Sequence, residues 1–136
     1  MTSRSRRQTP APKPLPTGAE LDILAALWRL GPATVREVHE QIDKPSGYTT
    51  TLKQMQLMTE KGLLTRSERF RSHVYEAAAP KEQTQSQIAA DLLHRAFEGS
   101  AKNLMLGALS AQPASREDLK DIRRMLDDFE KGGRNK

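Results

Sequence analysis

The sequence predicts a mainly α-helical chain: three helices and a β-hairpin in the first eighty residues, then three more helices. Three observations lead there. Within residues 21–58, apolar residues recur at helical spacing in three blocks, separated by Gly31-Pro32 and Pro45-Ser46-Gly47. Residues 65–76 switch to a polar, basic stretch whose returning half holds Val74 and Tyr75, as a hairpin would. Beyond Pro80 the helical spacing resumes and lasts to Phe129.

Residues 1–16 carry proline at 10, 12, 14 and 16, with Arg4, Arg6, Arg7 and Lys13 and no acid. Alternating prolines deny a helix, so this reads as a disordered basic tail. The sharper alternative is an arm that adds phosphate or minor-groove contacts. A capping box, Thr17-Gly18-Ala19-Glu20, opens the first helix, and Leu21, Leu24, Leu27 and Trp28 form its apolar stripe. A second box, Thr34-Val35-Arg36-Glu37, opens the next, with Val35, Val38 and Ile42 on one face. The third helix runs from Tyr48 to Lys61, with Thr51, Met55 and Met58 inward. Gly62 is its expected C-terminal cap, and Leu63 and Leu64 return to the core. A polar turn joins the two strands that follow. Trp28 and Tyr75 read as core residues.

Pro80 suits the start of a fourth helix, carrying Ile88, Leu92, Leu93, Ala96 and Phe97. Gly99-Ser100 breaks it before a short apolar helix over residues 101–109, with Leu104, Met105, Leu106 and Leu109. Ser115 caps the last helix, where Leu119, Ile122, Leu126 and Phe129 follow a 3-4-3 heptad spacing. Gly132-Gly133 is expected to end it. The resulting divisions are a tail (residues 1–16), a winged helix-turn-helix domain (17–79), a three-helix dimerisation region (80–131) and a disordered end (132–136). Three helices over some fifty residues cover little surface within one chain, so a second copy is the expected partner. Leu92, Leu93, Phe97, Leu104, Leu106, Leu119, Ile122, Leu126 and Phe129 are its contact residues. The competing arrangement folds these helices back on their own chain.

The formal charge is +5, from 22 Lys and Arg against 17 Asp and Glu, but residues 17–79 hold eight of each sign. Total charge is therefore weak evidence for a polyanionic partner, and local clustering carries that case. It exists: residues 61–73 hold four basic groups and one acid, on the expected hairpin. With no cysteine, disulfides, thiolate metal sites and a cysteine nucleophile are excluded. No apolar run approaches the roughly 18 residues of a membrane span, and no signal segment leads the chain, so no membrane insertion and a cytoplasmic location are expected. There is no phosphate loop and no nucleophile elbow, and His39-Glu40 lacks the second histidine of a zinc protease. His39, His73 and His94 lie on separate elements. A non-enzyme without metal or cofactor is expected.

Three helices with a basic ribbon are the parts of a winged DNA reader. Tyr48, Thr49, Thr50, Lys53 and Gln54 are the candidate double-stranded DNA contacts from the third helix, with Gln54 ranked below Lys53 and Gln56 flanking the same face. Hydroxyls and free amides at a helix N-terminus suit phosphates, and a lysine one turn on reaches guanine or phosphate. Arg66, Arg69 and Arg71 are the wing contacts to the backbone or minor groove. The bland readings are a helix cap for Thr49, packing for Tyr48 and an ordinary solvated hairpin for the arginines.

Gly31-Pro32-Ala33-Thr34-Val35-Arg36-Glu37-Val38, Tyr48-Thr49-Thr50, Glu60-Lys61-Gly62-Leu63-Leu64 and His73-Val74-Tyr75 occur in that order. Together they resemble the penicillinase-repressor (BlaI/MecI/CopY) family of transcriptional regulators, over residues 21–129. The resemblance implies a homodimeric repressor on a palindromic operator. In one branch of that family a membrane sensor protease is a partner, and the repressor is cut at an Asn-Phe bond. The matching positions here lie in Leu106-Gly107-Ala108, where Gly107 and Ala108 replace that pair. The branch that senses copper through C-terminal cysteines is excluded. The signal that relieves binding stays open, as do a winged protein-interaction module and a transcriptional activator as alternatives.

Overall fold

The computed structural model describes residues 15–43 and 45–134. The expected basic tail thus falls almost wholly outside the described residues, as do the last two residues. Among the described residues, six helices and one two-stranded sheet follow in the order α1 (Gly18–Leu30), α2 (Val35–Ile42), α3 (Tyr48–Lys61), β1 (Leu64–Arg69), β2 (Ser72–Ala77), α4 (Lys81–Arg95), α5 (Ala101–Ala111) and α6 (Arg116–Arg134). The fold class is the one the sequence predicts.

Both capping boxes form. Thr17 Oγ1 accepts from the Glu20 amide and Thr34 Oγ1 from the Glu37 amide, each at 3.2 Å, while each glutamate reaches back to its cap amide. Such a cap is worth about 1 kcal/mol. Gly31 (φ 78°) ends α1 and Gly62 (φ 88°) ends α3, in a backbone region that costs other residues strain. The end of α2 departs from expectation: Asp43, at φ 55°, caps it before the Pro45-Ser46-Gly47 break is reached.

Ile23, Leu24 and Leu27 of α1, Val35 and Val38 of α2, and Met55 and Met58 of α3 close one core with Leu64 and Tyr75. Each large side chain contributes roughly 1.5–3 kcal/mol by leaving water. Trp28 packs against this core from its edge, half-buried. The hairpin is antiparallel, pairing Leu64 with Ala77 through Arg69 with Ser72. Tyr75 exchanges two backbone hydrogen bonds with Ala33, at 2.9 and 2.8 Å, so the α1–α2 connection anchors the second strand. One contact spans 41 residues: Lys61 Nζ donates to Glu20 Oε2 at 2.5 Å, tying the end of α3 to the cap of α1.

The chain divides into two compact units, Met1–Ile88 and Ala89–Lys136, with the boundary inside α4. In the second, Ser100 caps α5 and Ser115 caps α6 through side-chain oxygens. Beyond Thr84 no described side chain is fully buried. Two boundaries differ from the sequence reading. α5 runs to Ala111, and α6 continues through Gly132 and Gly133 to Arg134. Neither glycine has positive φ, so the helical ladder carries on; glycine costs a helix only about 1 kcal/mol and need not stop it.

Candidate nucleic-acid interface

The inward face of α3 decides which residues point out. Thr51, Met55 and Met58 are buried, and Thr51 Oγ1 lies 2.8 Å from His39 Nδ1 of α2. With that face locked into the core, the 100° step of the helix turns Thr49, Lys53, Gln56, Leu57 and Glu60 outward, and all five are exposed. Tyr48 and Thr50 are exposed at the margins of this face. The N-terminal cap is Gly47, with no side-chain oxygen on the first amides. Thr49 is therefore not the cap, and among the described residues neither its hydroxyl nor that of Thr50 has a hydrogen-bond partner. Lys53 likewise has no ion pair among them.

Three placements go beyond the sequence reading. Gln54, a candidate contact, is half-buried and lines a shallow cleft with Ala19 and Asp22 of α1 and Ile42 of α2. Gln56, expected to flank the same face, is exposed and borders a groove with Thr59, Glu60 and Arg66. The difference of two residues is 200° around a helix, enough to exchange a packed position for an open one. Third, Tyr48 is not isolated. Its ring sits 5.2 Å from the Arg36 guanidinium and edge-on to His39, with ring centroids 6.1 Å apart. Arg36, on α2, thereby joins the margin of the face. No sequence signal named it, because the pairing crosses two helices.

Arg66, Arg69 and Arg71 are all exposed, but they do not form one stripe. Strand alternation puts Arg66 with Tyr75 on one face of the ribbon and Arg69 with Ser72 on the other. Arg66 thus borders α3, while Arg69 and Arg71 stand by the tip. The turn also differs from the polar one expected. Its two central residues are Phe70 and Arg71, at φ 53° and 65°, and the Phe70 side chain is 92% exposed.

In the second unit, Leu93, Phe97, Leu104, Leu119 and Ile122 are half-buried. Leu92, Leu106, Leu126 and Phe129 are exposed, Phe129 by 76%. Gly107 and Ala108 are exposed in mid-helix on α5, and a Cβ at Gly107 would meet the Phe97 ring at 3.5 Å. Among the described residues, no three His, Cys, Asp or Glu side chains gather as a metal site would need. No helix is long and apolar enough to cross a membrane.

A family model described as penicillinase repressor matches residues 16–128, which takes in the three-helix core, the hairpin and most of the C-terminal helices. The chain belongs to the penicillinase-repressor family. That is a family of transcriptional regulators, and the winged arrangement of α1–α3 with the hairpin agrees with transcription regulation through DNA. No curated protein matches the chain.

Proposed function

We propose that this member of the penicillinase-repressor family is a cytoplasmic homodimeric repressor that binds a palindromic operator. On this reading α3 lies in the major groove, and Thr49, Thr50 and Lys53 meet bases or phosphates there. Gln56 takes the outward position that Gln54 lacks. Tyr48, backed by Arg36, and the wing residues Arg66, Arg69 and Arg71 hold the phosphate backbone or the minor groove. The single observation that carries the reading is the outward trio Thr49, Thr50 and Lys53, whose side chains have no partner among the described residues, beside an arginine-bearing ribbon. Glu60, at the far end of the same face, restricts the polyanion to its first two turns. A two-fold pair would read two half-sites about one helical turn apart, with the exposed apolar residues of α4–α6 as the contact between copies.

The test is binding of purified protein to random-sequence pools, followed by anisotropy on the recovered sequences across a salt series. A repressor of this kind recovers an inverted repeat, and the logarithm of its affinity falls linearly with that of salt. A flat salt dependence and no recovered consensus would leave a protein-interaction module in its place. Whether a sensor protease cuts near Leu106-Gly107-Ala108 is a separate proposal, read by incubating the protein with lysate from induced cells and sequencing the fragments.

A further inference from the structure

Resting on the DNA-binding reading, we propose that Phe70 is a wedge that enters the minor groove beside the major-groove site and unstacks a base step there. Phe70 is the most exposed of the large hydrophobic residues described, at 92%. It is also held, with Arg71, in the left-handed region, at φ 53° and 65°. Two-residue hairpin loops of this hand favour Asn-Gly, since they need positive φ at both positions. A bulky aromatic residue there is an outlier. Exposure and backbone strain therefore coincide at one residue, and neither helps the hairpin fold. Local rules broken together in this way mark positions kept for what they contact.

The surroundings select the occupant. Arg69 precedes Phe70 and Arg71 follows it, both exposed, so the ring is bracketed by two phosphate-seeking groups. The nearest acid, Glu68, faces His73 across the ribbon at 3.8 Å. A protein pocket for a lone phenyl ring would not need two flanking cations, whereas a groove walled by phosphates does. Reach agrees as well. Six extended residues carry the tip roughly 20 Å from the base of the ribbon. The minor groove lies about half of the roughly 34 Å helical turn away from the major-groove site. Apolar side chains inserted between base steps are an established way to kink DNA, at flexible pyrimidine–purine steps above all.

The experiment uses the full chain on duplexes that the wild-type protein itself recovers from a random pool. 2-Aminopurine is placed at each step on either side of the α3 site, and Phe70→Ala, Phe70→Leu, Phe70→Asn and Arg71→Ala are compared. Wild type raises the fluorescence at one flanking step, and Phe70→Leu keeps much of that rise. Phe70→Ala and Phe70→Asn lose it and bind about tenfold more weakly, the loss of one base–aromatic stack, with an unchanged salt slope. Arg71→Ala instead lowers the salt slope. Phe70→Asn, which suits the turn, melts no lower than wild type. Wild-type binding with no unstacked step overturns the wedge and leaves the repressor reading standing, and so does Phe70→Ala binding as tightly as wild type. A lower melting temperature for Phe70→Asn overturns it too, as it would make Phe70 a folding residue. Recovery of no DNA at all removes the repressor reading, and the wedge with it.

Discussion

At the scale of single residues, α3 carries two kinds of polar group with opposite fates. Thr51 turns inward onto His39, whereas the side chains of Thr49, Thr50 and Lys53 are exposed and have no partner among the described residues. Lys53→Ala is expected to cost roughly 1–3 kcal/mol on the operator and to relax preference at one base pair. Arg69→Ala should weaken every sequence alike and reduce the salt slope by about one unit. Competition anisotropy with operator and random duplexes reads both; equal losses on the two duplexes from Lys53→Ala would sink the division of labour. Glu20 shows the opposite balance. Burial at 2% exposure pushes its carboxyl pKa up. The Lys61 ammonium, the Thr17 amide and the Thr17 hydroxyl outweigh that and hold it below its ordinary value. A depressed folded pKa means stability that is complete above the unfolded value, about 4.3, and is lost as pH falls through the folded one. Urea melts from pH 6 to pH 3 should therefore show wild type losing more stability than Glu20→Gln over the acid end.

At the scale of elements, capping boxes set where α1 and α2 begin, and the Lys61–Glu20 pair ties the end of α3 to the start of α1. Lys61→Met leaves a buried carboxylate short of one donor, for an expected loss of about 1–3 kcal/mol. Since Lys61 sits at the far end of α3 from Thr49, DNA affinity in Lys61→Met should drop less than tenfold while the melting midpoint falls. A mutant that kept its stability would show that the pair does not hold α3 in place. The hairpin was legible as two basic strands because its composition changes abruptly at Thr65. Its tip was not, since nothing in Arg69-Phe70-Arg71-Ser72 carries the Asn-Gly signature of a two-residue turn. The half-burial of Gln54 was not legible for a related reason. The apolar spacing located the buried face of α3 but could not say that α1 and α2 also wrap its flank.

At the scale of the whole molecule, the first unit closes a core of its own, and the second leaves Leu106, Leu126 and Phe129 exposed. An apolar surface of this kind suits a second copy. Leu126→Lys with Phe129→Lys is expected to convert a two-chain species to a one-chain species at micromolar protein in analytical ultracentrifugation. Operator affinity should fall at least a hundredfold in the same variant, because each half-site would then be bound singly. A double mutant that stays two-chain would remove α6 from the contact between copies.

Periodicity, caps and the charge cluster were enough to determine, from the sequence alone, the order of helices and the hairpin, because each depends on neighbours within a turn or two of the chain. The family was legible only as a resemblance, carried by the ordered motifs at residues 31–38, 48–50, 60–64 and 73–75. Contacts between distant segments were decided only in three dimensions: Glu20 with Lys61, Ala33 with Tyr75, and Arg36 and His39 around Tyr48. Those contacts choose which flank of α3 is covered, and so which glutamine faces out. Helical spacing sets an angle around one axis; the neighbours that give that angle an inside and an outside are brought there by packing.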